Sequence, residues 1–155
     1  MKILFVCLGN ICRSPLAEAV FFDLIRQEDL SGVTVDSAGT AGYHAGETAD
    51  PRARACARRH DLQITHRARP VISDDFDRFD LLIAMDESNA AELRRRAPTL
   101  AGRRKVRLMR EWDPSGVGNV PDPYYGTDAD FDEVWHLCHR SARGLLAEIQ
   151  RMERS

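Results

Sequence analysis

A chain of 155 residues has the length of one domain with one real hydrophobic core, residues 1–155 forming a single unit. Hydrophobic residues at 43% and charged residues at 30% exclude a disordered chain. The 22 basic and 24 acidic side chains leave a formal charge of −2, which argues against nucleic acid or an anionic membrane surface as the main partner. No apolar run approaches the ~20 residues of a membrane span. Met1 to Cys7 is too short for a secretory signal and lacks a small-residue cleavage site. Four cysteines without such a signal (Cys7, Cys12, Cys56, Cys138) point to a reducing cytoplasm rather than a disulfide framework.

In chain order, Ile3 to Val6 is the first strand, a continuous apolar run of the kind covered on both faces. Leu16, Ala17, Val20, Phe21, Leu24 and Ile25 then recur at helical spacing. Ser14 is placed to cap that helix, and Pro15 suits its first turn, where a missing N–H is harmless. Val33 to Val35 is a weaker strand, and Arg52 to His60 a short amphipathic helix with Cys56 on its apolar side. Leu81 to Met85 is a second buried strand, and Glu87 to Ala97 a helix stopped by Pro98, with Asp86 expected as its cap rather than in a direct role. Val106 to Met109 is a further strand. Phe131, Val134, Trp135, Cys138, Ala142, Leu145, Leu146 and Ile149 mark a long last helix, so Cys56 and Cys138 read as packing residues. The basic run from Arg94 to Lys105 reads as a solvated helix terminus. The alternation predicts an α/β fold: a small central four-stranded parallel sheet flanked by helices on both faces. Such folds place their sites at the carboxyl ends of strands.

The loop after the first strand runs Cys7-Leu8-Gly9-Asn10-Ile11-Cys12-Arg13-Ser14-Pro15, a cysteine followed after five residues by Arg-Ser. A loop entering a helix turns several N–H groups toward one point and adds the positive end of the helix dipole, which suits an anion. Gly9 and Asn10 are the residues most able to take unusual backbone angles there. Arg13 can fork onto two oxygens of a phosphate. The same N–H groups favour thiolate over thiol at Cys7, placing a nucleophile beneath a bound phosphorus. A nucleotide-binding loop would need a Lys and a second glycine that this segment lacks.

These residues resemble the signature of the low-molecular-weight protein tyrosine phosphatases, and the likeness covers nearly the whole chain. Val35-Asp36-Ser37-Ala38, Gly42-Tyr43, His66 with Ala68-Arg69, Met85 to Asn89 and Asp122 to Gly126 follow in the family's order. The resemblance implies a phosphate-binding loop from Leu8 to Ser14, with Cys7 as nucleophile and Arg13 holding the phosphate. Ser14 would donate to the Cys7 sulfur. Asn10, Ser37 and His66 would hold the loop in shape, and Leu8, Tyr43, Tyr124 and Tyr125 would wall the substrate cleft. It also implies a reversible disulfide between Cys12 and Cys7. No metal or other cofactor is required, and no metal-ligand motif is visible. The implied partners are phosphotyrosine proteins, tyrosine kinases among them, acted on by a monomer.

The leaving oxygen needs a proton donor. Three Asp-Pro pairs offer one, at Asp50, Asp113 and Asp122, and each can simply begin a turn. Asp122 has the best context, since Tyr124 and Tyr125 offer aromatic walls for an aryl phosphate, and the resemblance assigns the general acid to it. Arsenate reductases of the same fold need further cysteines after the third strand, and Ala84 to Arg96 holds none. Arginine-phosphate phosphatases carry a threonine where this chain has the bulkier, apolar Ile11, which favours an aryl phosphate. A phosphate-binding module without turnover would dispense with Cys7 or Asp122, and both are present.

Overall fold

The computed structural model describes residues 1–155. Strands β1 (Lys2–Cys7), β2 (Thr34–Gly39), β3 (Leu81–Ala84) and β4 (Val106–Leu108) form one sheet in the order β2-β1-β3-β4. All three pairings are parallel. Helices α1 (Arg13–Gln27), α2 (Pro51–Arg59), α3 (Asp75–Arg78), α4 (Glu87–Arg96), α5 (Leu100–Arg104) and α6 (Asp128–Arg154) complete it, with a 3₁₀ turn at Met109–Trp112. The expected α/β sheet with helices on both faces is thus observed. Two short helices, α3 and α5, carry too few residues to show a helical period, and the expected single basic terminus is divided between α4 and α5.

The period of two along β1 explains the layers. Ile3 and Phe5 pack into the larger core with Leu16, Val20 and Phe21 of α1 and Phe131, Val134 and Leu145 of α6. Leu4 and Val6 face the other way, toward Phe76, Phe79, Ala90 and Leu93. Because both faces are covered, β1 reads as an unbroken apolar run.

Strand order places the first loop. The chain leaves β1 for β2 on one side and reaches β3 on the other, so the carboxyl end of β1 is where the winding reverses and a crevice opens. Two backbone bonds carry β2's continuation along the loop: Thr40 N–H donates to Cys7 C=O at 2.9 Å and Ala41 N–H to Leu8 C=O at 3.0 Å. Gly39 permits this approach, since a Cβ there would lie 2.7 Å from the Leu8 carbonyl oxygen.

Candidate active site

Cys7 closes β1 and is 3% exposed. Its Sγ accepts the Asn10 N–H at 3.3 Å and lies 3.0 Å from Ser14 Oγ. The turn that aims the Asn10 N–H inward requires φ = +58° at Asn10. Asparagine tolerates this left-handed angle better than most residues. Gly9, also expected to take such an angle, does not. It is confined instead by His44, whose Cδ2 would lie 3.1 Å from an added Cβ. Ser14 does not cap α1 either; Cys12 is the N-cap residue and makes no side-chain cap bond. In the first turn of the helix, Ser14 Oγ accepts Asn10 Nδ2–H at 2.7 Å and faces the Cys7 sulfur.

Asn10 is the hub of the loop. Its amide donates to Ser14 Oγ and to Ser37 Oγ (3.0 Å). Its Oδ1 accepts the Arg69 N–H at 3.0 Å and His66 Nε2–H at 2.8 Å. Ser37, on the neighbouring β2, donates its own hydroxyl hydrogen bond to Glu18 at 2.6 Å. Beyond His66 stand Glu18 and Asp36, with Nδ1 3.4 Å and 3.3 Å from their carboxylates. The two acids respond in opposite directions. Burial pushes the Glu18 pKa up. Burial also penalises ionised Asp36, but bonds from His66 and the Ser37 N–H and the Arg69 charge prevail and hold it at about 2. Arg69 spans Asp36 and the buried Asp75, which it grips through both guanidinium ends at 3.0 and 3.1 Å. The expected supports Ser37 and His66 therefore belong to a longer chain with Glu18, Asp36, Arg69 and Asp75, which no local motif marks.

Arg13 is 3% exposed at the start of α1. Its Nη1 donates to Asp86 at 2.6 Å and to the Val120 carbonyl at 3.0 Å. Burial works against the guanidinium's charge, but the neighbouring Cys7 and Asp86 more than offset this and raise its pKa. Asp86 does cap α4, accepting the Asn89 N–H at 2.8 Å. The direct role set aside for it in the sequence is nonetheless present, because its second oxygen fixes Arg13.

Of the three Asp-Pro aspartates, two are committed elsewhere. Asp50 caps α2 and pairs with Arg52 at 3.0 Å. Asp113 is buried among Arg110, Arg140 and Ser115. Asp122 alone lines the cleft. Its Oδ1 accepts the Tyr124 N–H at 3.1 Å, and Oδ2 stands 3.8 Å from Arg13 Nη2. Val120 N–H, bonded to the Met85 carbonyl at 2.8 Å, ties this segment to the end of β3. Arg52 holds its far end through the carbonyls of Tyr124 (2.8 Å) and Gly126 (3.3 Å).

The cleft above the loop has a volume of about 290 Å³. Cys7, Gly9, Ile11, Cys12 and Arg13 form its floor, with Leu8, Tyr43, Tyr124 and Tyr125 around it as expected. His44, unmarked in the sequence, joins them. Tyr125 is 97% exposed and meets Tyr124 edge-to-face at 4.9 Å.

A family model described as low molecular weight phosphotyrosine protein phosphatase matches residues 2–155. The chain belongs to that family. Its curated relatives are named as protein tyrosine phosphatases, which are hydrolases, so the chain is an enzyme of that class. A low molecular weight phosphotyrosine protein phosphatase of Sus scrofa is 41% identical, with 96% of each chain covered. A low molecular weight protein-tyrosine-phosphatase of Streptomyces coelicolor is 44% identical over 96% of this chain and 93% of its own. Among solved structures, a protein tyrosine phosphatase from Entamoeba histolytica superimposes with a TM-score of 0.95 at 39% identity, covering 99% of each chain. A Drosophila arginine phosphatase superimposes with a TM-score of 0.91 at 31% identity, covering 96% of this chain and 98% of its own. The fold is therefore shared by phosphatases named for different phosphorylated side chains.

Proposed function

We propose that this phosphatase hydrolyses phosphotyrosine in proteins through a cysteinyl-phosphate on Cys7. The observation that carries the reading is the convergence, at one end of the cleft, of the Cys7 sulfur, the buried Arg13 and the Asp122 carboxyl. With the phosphate dianion in the loop, Cys7 Sγ attacks phosphorus in line and the bond to the tyrosyl oxygen breaks. Asp122 gives that oxygen its proton. Water, deprotonated by the Asp122 carboxylate, then attacks the phosphocysteine, and sulfur leaves with Ser14 Oγ–H donating to it. The loop N–H groups and the free side of Arg13 hold the equatorial oxygens throughout, so the charge of the transition state meets donors already in place. No step calls on a metal. The substrates are phosphotyrosine proteins, tyrosine kinases included, met by a monomeric single domain in a reducing cytoplasm.

Hydrolysis of a chromogenic aryl phosphate and a phosphotyrosine peptide, followed with rapid acid quench, tests this. Phosphate should be trapped on the wild-type protein, and Cys7→Ser should lose at least ~10⁴-fold in turnover. Full activity in Cys7→Ser would remove the mechanism. The kinship with an arginine phosphatase makes phosphoarginine the substrate to compare. Ile11, buried and apolar in the cleft floor, favours the aryl ester, so preference for phosphoarginine would overturn the substrate assignment.

Cys12 is assigned a protective role. Burial, and then the Asp50 charge, push its thiol pKa far above 9.0, so it rests protonated and leaves the phosphate to Cys7. After peroxide converts Cys7 to a sulfenic acid, Cys12 displaces water and forms a disulfide that thiols reverse. Cys12→Ser should then fail to recover from peroxide; recovery equal to wild type would sink the role.

A further inference from the structure

Where α2 packs against α6, outside the cleft, the two helices present paired side chains to each other. Cys56 and His60 lie four residues apart on α2 and its C-cap. Asp132 and His136 lie four residues apart on α6. That spacing puts each pair on one helix face. We propose that Cys56, His60 and Asp132 bind one Zn²⁺ between α2 and α6, with His136 completing the shell. The inference does not rest on the phosphatase reading.

The geometry fits the ion. The Cys56 Sγ, His60 nitrogen and Asp132 oxygen lie within 4.8 Å of one another. Sγ is 3.4 Å from Asp132 Oδ1, and His60 Nε2 is 3.8 Å from the same oxygen. Tetrahedral zinc with Zn–S ~2.3 Å and Zn–N and Zn–O ~2.0–2.1 Å spaces such donors about 3.5 Å and 3.3 Å apart. The Cys56–Asp132 spacing already matches, the His60–Asp132 pair would close by about half an ångström, and Cys56 and His60, within 4.8 Å of each other, would draw together as the ion binds. Mixed thiolate, imidazole and carboxylate donors are the set this borderline ion takes.

The His60 ring is already oriented. It stacks on Trp135 at 3.6 Å with 5° between planes, and His139 stacks at 4.7 Å, with 11° between that ring and Trp135. The His136 ring, exposed to solvent, stands edge-on to His60 at 6.0 Å and to Trp135 at 5.0 Å. Without metal, the Cys56 S–H lies between the Phe131 carbonyl (3.5 Å) and Asp132 Oδ1 (3.4 Å), and Arg59 pairs with that same carboxylate oxygen at 2.8 Å. Arg59 is 40% exposed on its side chain, so its release to water costs little. The incoming ion takes the place of that cation, and the Cys56 proton leaves to solvent as the metal–thiolate bond forms. Electrons do not move. The consequence is a clamp between α2, whose first turn carries Arg52, and α6, which follows the Asp122 segment.

The test is a Co²⁺ titration of the full chain carrying Cys7→Ser and Cys12→Ser, which removes the cleft thiols. One Co²⁺ per chain should bind with a thiolate-to-cobalt charge-transfer band and intense tetrahedral visible bands. Zn²⁺ should displace it and raise the melting temperature. Cys56→Ser should abolish the charge-transfer band. His60→Ala and Asp132→Asn, at part-exposed positions that leave folding intact, should weaken binding by at least the ~10–100-fold that even outer partners of a metal site are worth. No charge-transfer band, a band that survives Cys56→Ser, or unchanged affinity in His60→Ala would overturn the site. Unchanged affinity in His136→Ala would remove His136 from it.

Discussion

On one side of the cleft, the loop from Cys7 to Ser14 is buried apart from Leu8 and Gly9, and its polar groups are bonded several layers deep, from Asn10 through Ser37 and His66 to Glu18, Asp36, Arg69 and Asp75. On the other side, Asp122 is 48% exposed on its side chain, Tyr125 stands almost wholly in water, and Arg52 and the Val120 backbone are the tethers. The phosphate keeps its position through both steps, so the groups that hold it gain from being fixed before substrate arrives. The leaving group must enter and depart, and the acid serves twice with water in between, so that wall is kept open. Rigidity is concentrated where charge develops.

The largest expected effect comes from the open side. Asp122→Ala should lower kcat for aryl phosphates with poor leaving groups by about 10²–10⁴-fold, and much less for those that leave unaided. A leaving-group series read by stopped-flow checks this. A uniform loss across the series would mean that Asp122 positions substrate rather than protonating it.

Next comes the rigid side. Asn10→Ala removes four hydrogen bonds from the buried hub while touching no reacting atom. A misplaced loop should cost about 10²-fold in kcat, equally for good and poor leaving groups. An Asn10→Ala enzyme whose loss depends on the leaving group would erase the contrast between the two sides.

The smallest effect on rate belongs to Asp113, which shares its Asp-Pro setting with Asp122 but lies outside the cleft. Burial alone would raise its pKa, but Ser115, Arg140 and Arg110 outweigh that and hold it at about 2, below the ordinary 3.8. A carboxylate depressed on folding contributes stability above its unfolded pKa and loses it as pH falls through the folded one. Asp113 therefore contributes about 2 kcal/mol above pH ~4, fading toward pH ~2. Asp113→Asn should keep kcat and the leaving-group dependence, melt earlier at neutral pH, and show a flatter loss of stability over that window. Denaturant melts across pH check it. A fall in kcat with unchanged stability would contradict the separation of the two aspartates.

Much of the site is legible in sequence because it is local. The span from Cys7 to Ser14 is one loop between a strand and a helix, so the spacing of thiol, guanidinium and N–H groups follows from a few backbone angles. The family resemblance extends this to Ser37, His66 and Asp122. Where reading the chain alone misleads, the partner is distant. Asp86 reads as a cap only, yet Arg13, 73 positions away, takes its other oxygen. Glu18 and Asp75 carry no mark in the sequence, because nothing local announces that the first two crossovers bring them behind one loop.

The sequence by itself determined the alternation of strands and helices, the doubly covered β1 and the chemistry of the loop that follows it, because hydrophobic period and short-range spacing act within a few residues. The tertiary structure alone decided what anchors Arg13, and that Cys56 meets Asp132 across 76 positions. Those are contacts between elements, set when the parallel sheet closes and its two layers pack, and a buried polar group takes whichever partner the packing leaves within reach.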